Sequence, residues 1–279
     1  MHAFSLVLNT VTIKQASLEE KYRLAAEAGF AGLELWDHEI EADPGGELRT
    51  RALAARYRLA IEGICPGPEV YRWHYHWDTT LEEWLERRLA IYAAVGAKYI
   101  VMPVMGEDGT LQQTAENYRY LCDLTARHGI RAGLEPIGKI RKLASVADAL
   151  QILPHGHEGA GIILDAFHFF RGGNRLDILP HIDPTSIVAV HLDDAMDLPL
   201  HELVGYRHRV YPGDGVFDVE GFCRALFHIG YRGPYVVELF NETYWQSDPT
   251  TVCLTAHQTA QHVLARATSR GGESLPHTI

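Results

Sequence analysis

"AGIILDAFHFFRGG", residues 160–173, is a short apolar run that stops on an acid. Ile162, Ile163 and Leu164 read as a buried strand, β-branched and bounded by glycine. The run then breaks into Asp165, Ala166, Phe167 and His168, which puts a carboxylate and an imidazole where the strand ends. Nothing in the stability of a folded core asks for that ending.

The same construction recurs on both sides. β-type runs stand at 4–9 (FSLVLN), 31–36 (AGLELW), 59–64 (LAIEGI), 98–103 (KYIVMP), 130–136 (IRAGLEP), 161–166 (GIILDA), 187–192 (IVAVHL) and 235–240 (YVVELF). Amphipathic helical patterns separate them. "SLEEKYRLAAEAG" has Ser17 as N-cap, Glu20 three residues on and Gly29 as its stop. The joints "AEAGFAGLELW", "YAAVGAKYIVM", "ARHGIRAGLEP" and "FHIGYRGPYVVELF" all read helix, glycine, short turn, strand. Eight strands alternating with helices predict an α/β fold, a single-domain (β/α)8 TIM barrel over residues 1–267. The segment 268–279 loses the periodicity and is expected to fray.

Composition narrows the function. A chain of 279 residues, 47% hydrophobic, is long enough for one large core. Its net charge of −11, with no Lys/Arg block, speaks against a nucleic-acid surface. Cys65, Cys122, Cys223 and Cys253 lie far apart and form no metal-ribbon or disulfide pattern. The N-terminus lacks a basic region followed by an apolar core, and no run approaches the ~20 apolar residues of a membrane helix. A cytoplasmic protein without membrane attachment is expected, and a homo-oligomer is possible.

In such a barrel the reacting groups sit at the C-terminal strand ends. There the fifth strand ends in Glu135, the sixth in Asp165, the seventh carries His191 and the eighth Glu238. A single acid at such a place is more often a helix cap. Four chemically suited groups on consecutive strands, three of them anionic, instead predict a cation among them. One divalent metal is expected, Mn2+ or Zn2+ first, with Co2+ or Mg2+ as alternatives. His168 is placed to reach a substrate above that metal. Arg209, in the Gly/Pro-rich "HRVYPGDGVFD", is expected to bind a substrate oxygen or brace a ligand carboxylate. Trp36 is equally a ring-stacking wall or core. The aromatic segment "YRWHYHWD" (71–78) is expected to form a lid or an oligomer contact.

At these residues the chain resembles the sugar phosphate isomerase/epimerase superfamily of xylose-isomerase-like barrels. The motifs "GLEP", "ILDAFHFFRGG", "VHLDD", "RVYPGDGVFD" and "YVVELF" come in that superfamily's order. Among its branches the pattern is most similar to the inosose isomerases of inositol catabolism, which interconvert 2-keto-myo-inositol and 1-keto-D-chiro-inositol. The resemblance implies metal ligation by Glu135, Asp165, His191 and Glu238, with His168 and Arg209 beside the substrate. It also implies a small neutral polyol or keto-sugar as substrate, its hydroxyls bound by Arg209, Trp36 and Asp193. Catalysis would pass through an enediolate, with Glu135 or Glu238 moving the proton. Ketose 3-epimerases carry a glutamate where this chain has Arg141, which weakens that reading. A ketose epimerase, a hydroxypyruvate isomerase and a dehydratase of inosose or 3-dehydroshikimate remain as alternatives on the same scaffold. An AP endonuclease is opposed by the acidic charge, and a metal-binding protein without activity by the open, oxygen-rich ligand set.

Overall fold

The computed structural model describes residues 4–154 and 157–269. Eight parallel strands close into a barrel: β1 (Leu6–Asn9), β2 (Gly32–Trp36), β3 (Ala60–Cys65), β4 (Tyr99–Pro103), β5 (Arg131–Glu135), β6 (Ala160–Asp165), β7 (Ile187–His191) and β10 (Tyr235–Val237). They follow one another around the ring, and β1 pairs with β10 to close it. The eight strand signals read from the sequence are these eight strands. Two features had no signal: a two-residue antiparallel ribbon, β8 (Asp194–Ala195) against β9 (Arg209–Val210), and the shortness of β10.

The helices form where their caps predict. The Ser17 amide donates to Glu20 Oε2 at 2.9 Å, and the helix Leu18–Ala28 ends at Gly29 with φ 99°. The last helix runs Pro249–Ser269, so Thr268 and Ser269 are helical instead of frayed. The remainder of that expected tail, 270–279, lies outside the described residues. No described helix is long and apolar enough to cross a membrane.

A barrel strand has two buried faces. One set of side chains packs outward against the helices, including Leu33, Leu35, Leu134, Ile162, Leu164, Val190 and Val237. The alternate set fills the barrel, with Val7, Tyr99, Val101, Ile163, Ala189 and Val236 in one cluster. Two residues further along, that inward face carries Asn9 after Val7, Asp165 after Ile163, His191 after Ala189 and Glu238 after Val236. Register then levels them, since Asp165 pairs with His191 and Pro103 with Glu135.

The segment 71–78 is not a free lid. Trp73 is fully buried and donates its indole N–H to the Pro103 carbonyl at 3.1 Å, and His74 is buried beside it. His76 lies 3.0 Å from Asp78.

Candidate active site

Glu135, Asp165 and His191 are the last residues of β5, β6 and β7, and Glu238 follows β10 directly. One ligand atom from each lies within 4.8 Å of the others, and all four residues are buried. His191 Nδ1 is 3.4 Å from Glu135 Oε1, 3.7 Å from Asp165 Oδ2 and 3.3 Å from Glu238 Oε2. Buried among three carboxylates, that nitrogen has no hydrogen-bond partner. An orphaned imidazole nitrogen facing three carboxylates is the donor set of a divalent ion, so the residues fit the metal.

Charge supports the same fit. Glu34, Glu135, Asp165, Asp193 and Glu238 are buried together against Arg209 and the His191 imidazole. Burial, aided by the neighbouring carboxylates of Asp165 and Glu238, pushes the Glu135 carboxyl up to about 7. Burial also raises Asp193 well above the carboxylate range, with Asp165 adding to it. Burial opposes charge on His191, yet Glu34 and Glu238 hold it well above the ordinary histidine value. A divalent cation among the four relieves that repulsion.

Asp165 is a helix cap whose second oxygen stays free to face the cluster. Its Oδ1 accepts the His168 amide at 2.7 Å and caps the short helix Ala166–Arg171. Its Oδ2 faces the cluster, 2.7 Å from Arg209. One residue thus starts a helix and offers an oxygen to the cluster.

Arg209 enters from the ribbon strand β9. Its Nη1 lies 2.7 Å from Asp165, 2.6 Å from Asp193 and 2.8 Å from Glu238, with the guanidinium over Phe167 and Phe240. It braces two of the candidate ligands. Asp193 was expected at the substrate. It is fully buried and outside the cavity lining, and its two oxygens accept from the Phe167 amide and from Arg209. It anchors Arg209.

Above the cluster opens a cavity of about 180 Å3, room for a small molecule. Glu135, Glu238, His168 and Arg209 form its polar pole, and Trp36, Tyr71 and Phe240 are among its aromatic walls. Asp165 and His191 stay behind this surface. Burial pushes the His168 imidazole down to about 3, so the ring is neutral. Its Nε2 lies 3.3 Å from Arg209 Nη2, which can only donate, and its Nδ1 has no partner. Trp36 is a wall, pinned by its indole N–H to Asn9 at 3.0 Å. Sequence reasoning missed Tyr71, Lys139 and Tyr206 on the lining, and Glu34, Asn9 and Tyr99 beneath it.

The pattern of the xylose isomerase-like TIM barrel family matches residues 22–264. The chain belongs to that family. Among relatives in this family, an inosose isomerase of Bacillus velezensis is 28% identical over 182 residues, 62% of this chain and 64% of that protein. The chain therefore aligns with less than two thirds of that relative's length. A 3-dehydroshikimate dehydratase of Pseudomonas putida is 25% identical over 241 residues, 82% of this chain and 37% of that protein. The crystal structure of the IolI protein with a bound zinc atom superposes with a TM-score of 0.81 at 20% identity, covering 95% of this chain and 99% of that one. Isomerases, epimerases and dehydratases all occur among these xylose isomerase-like relatives.

Proposed function

We propose that the protein is a metal-dependent isomerase of a vicinal hydroxy-ketone, with 2-keto-myo-inositol as its substrate. The observation that carries this reading is the pairing of Glu135 and Glu238 on the cavity surface beside the unpartnered His191 Nδ1. Glu135, Asp165, His191 and Glu238 would hold the ion. When bound, it supplies Lewis acidity to adjacent hydroxyl and carbonyl oxygens and so acidifies the proton on the carbinol carbon.

The side chains divide the remaining work. Glu135 or Glu238 removes the carbon-bound proton, the hydroxyl proton on that carbon passes to the former carbonyl oxygen, and the same or the opposing carboxylate returns a proton to the former carbonyl carbon. His168, neutral, donates a hydrogen bond to a substrate oxygen as negative charge develops there. Trp36 and Phe240 flank the ring faces and restrict water. The relatives named inosose isomerase support the choice of cyclitol. Incubation with 2-keto-myo-inositol tests it: an isomeric inosose is the expected product, and a dehydrated, conjugated ketone would reject isomerisation.

His168→Asn should keep the metal and the fold while losing about two orders of magnitude in rate, the scale of one lost oxyanion donor. Metal content and turnover of the variant check this together. Parental turnover would remove His168 from the reaction.

One observation favours a second reading, a dehydratase of a carboxylated substrate such as 3-dehydroshikimate. Lys139 lines the cavity, sits 6.0 Å from the Tyr206 ring and, among the described residues, has no carboxylate within ion-pairing distance. An unpaired ammonium there suits an anionic substrate end. Lys139→Met separates the two: KM should rise about tenfold for an anionic substrate, in a salt-dependent way, and stay within twofold for a neutral inosose.

A further inference from the structure

We propose that Glu34, held by Asn9 and Tyr99, is a positioning residue that aims the candidate metal ligand His191, with Asn9 aiming a second, Glu238. The inference rests on the metal reading above and concerns how the chain prepares that site.

Glu34 lies on β2, inside the barrel and fully buried, where a lone carboxylate is costly. Three N–H and O–H donors converge on it, and the Cys65 thiol lies 3.6 Å from Oε1. Asn9 Nδ2 donates to Oε1 at 2.6 Å and Tyr99 OH to Oε2 at 2.7 Å, while His191 Nε2 lies 3.2 Å from Oε1. A carboxylate only accepts, so the imidazole nitrogen facing it carries the hydrogen. With its hydrogen held at Nε2, the imidazole has Nδ1 as the nitrogen that would give up its proton to a bound ion and serve as the ligand.

Asn9 fixes the second ligand. Its Oδ1 accepts from the Val11 amide at 2.9 Å and from the Trp36 indole at 3.0 Å. Those two donors set the amide's orientation and force Nδ2 toward Glu34 and toward Glu238 Oε1, at 2.9 Å. One amide therefore spans a cavity wall, a ligand and the carboxylate behind another ligand. The backbone makes room for the third member. A Cβ at Gly63 would sit 2.3 Å from the Tyr99 ring, so only glycine on β3 lets Tyr99 cross the barrel to Glu34.

Glutamine at 34 keeps the shape but offers one acceptor oxygen and an NH2 group to three donors. With its NH2 at the Oε1 position it faces the Asn9 NH2; with its NH2 at the Oε2 position Tyr99 must turn its hydroxyl hydrogen away and accept, and His191 faces a neutral amide oxygen in place of a carboxylate. In Glu34→Gln, zinc affinity, measured by competition with a chromophoric chelator, should fall 10- to 100-fold. The visible spectrum of the cobalt-loaded variant should shift as His191 turns. Tyr99→Phe removes one donor only and should weaken zinc several-fold in the same direction, with the melting temperature of the metal-free protein little changed. Parental zinc affinity and cobalt spectrum in a folded Glu34→Gln overturn the proposal, even if that variant melts earlier. Should Glu34→Gln not fold, Tyr99→Phe decides: weakened zinc binding supports the proposal and unchanged binding overturns it. Failure of the parent protein to bind zinc or cobalt would instead overturn the metal reading, and this inference with it.

Discussion

Alanine at His191 should give a folded protein that has lost its divalent ion and at least three orders of magnitude in turnover. The imidazole is the one nitrogen donor in the four-residue cluster, and its Nδ1 has no hydrogen bond inside the chain to lose. Its removal takes away a ligand and also the group that Glu34 faces at 3.2 Å. A loss of about 4 kcal/mol of transition-state stabilisation corresponds to that rate, within what a Lewis acid contributes. Elemental analysis gives the comparison that matters: His191→Ala should be nearly metal-free where His168→Asn is fully loaded. Equal metal in both variants would move the site away from His191.

Arg209→Met should cost stability as well as activity. Arg209 is 3% exposed and within 2.8 Å of three carboxylate oxygens. Methionine fills the volume between Phe167 and Phe240 but leaves Asp165, Asp193 and Glu238 buried without their common counter-ion. Breaking a buried pair from one side costs about 3–5 kcal/mol, or on the order of 10 °C for a chain of this size. Added zinc should restore part of that loss, because a bound ion neutralises two of the same carboxylates. Thermal melts with and without metal read both effects. An unchanged melting temperature would show that the guanidinium contributes nothing net to the fold.

The strand ends were legible because a parallel barrel strand is a bounded apolar run, and the first polar residue after it stands out. Period-two alternation then does the rest: Ile163 faces the interior, so Asp165 does. Glu34 was hidden by the same rule. In "GLELW" it alternates with Leu33 and Leu35 as a solvent-facing residue of a half-buried sheet would, but a barrel strand has no solvent face. The acid is fully buried. The placement of Asp193 outside the cavity lining was hidden for a related reason. The residue stands two positions beyond His191, but β7 ends at His191 and the chain turns into the ribbon β8–β9. Two-residue strands leave no periodic trace, so the ribbon that delivers Arg209 could be placed only in three dimensions. In "VHLDD" the second aspartate has its own task. Asp194 accepts the amides of Gly213, Gly215 and Phe217 and holds the loop that follows Arg209. The aromatic segment 71–78 read as a lid or an oligomer contact because Trp and Tyr near prolines and glycines give no period, although Trp73 is core.

If Glu135, Asp165, His191 and Glu238 hold a divalent ion beside which a carboxylate moves a carbon-bound proton of a hydroxy-ketone, exchange of that proton must depend on the ion. Proton NMR of 2-keto-myo-inositol in deuterated water tests it, with the protein either metal-loaded or stripped by a chelator. Deuterium should enter the carbons at and next to the carbonyl with the loaded protein and should fail to enter with the stripped one. Exchange at the same rate in both samples, or none with the loaded protein, would contradict the account.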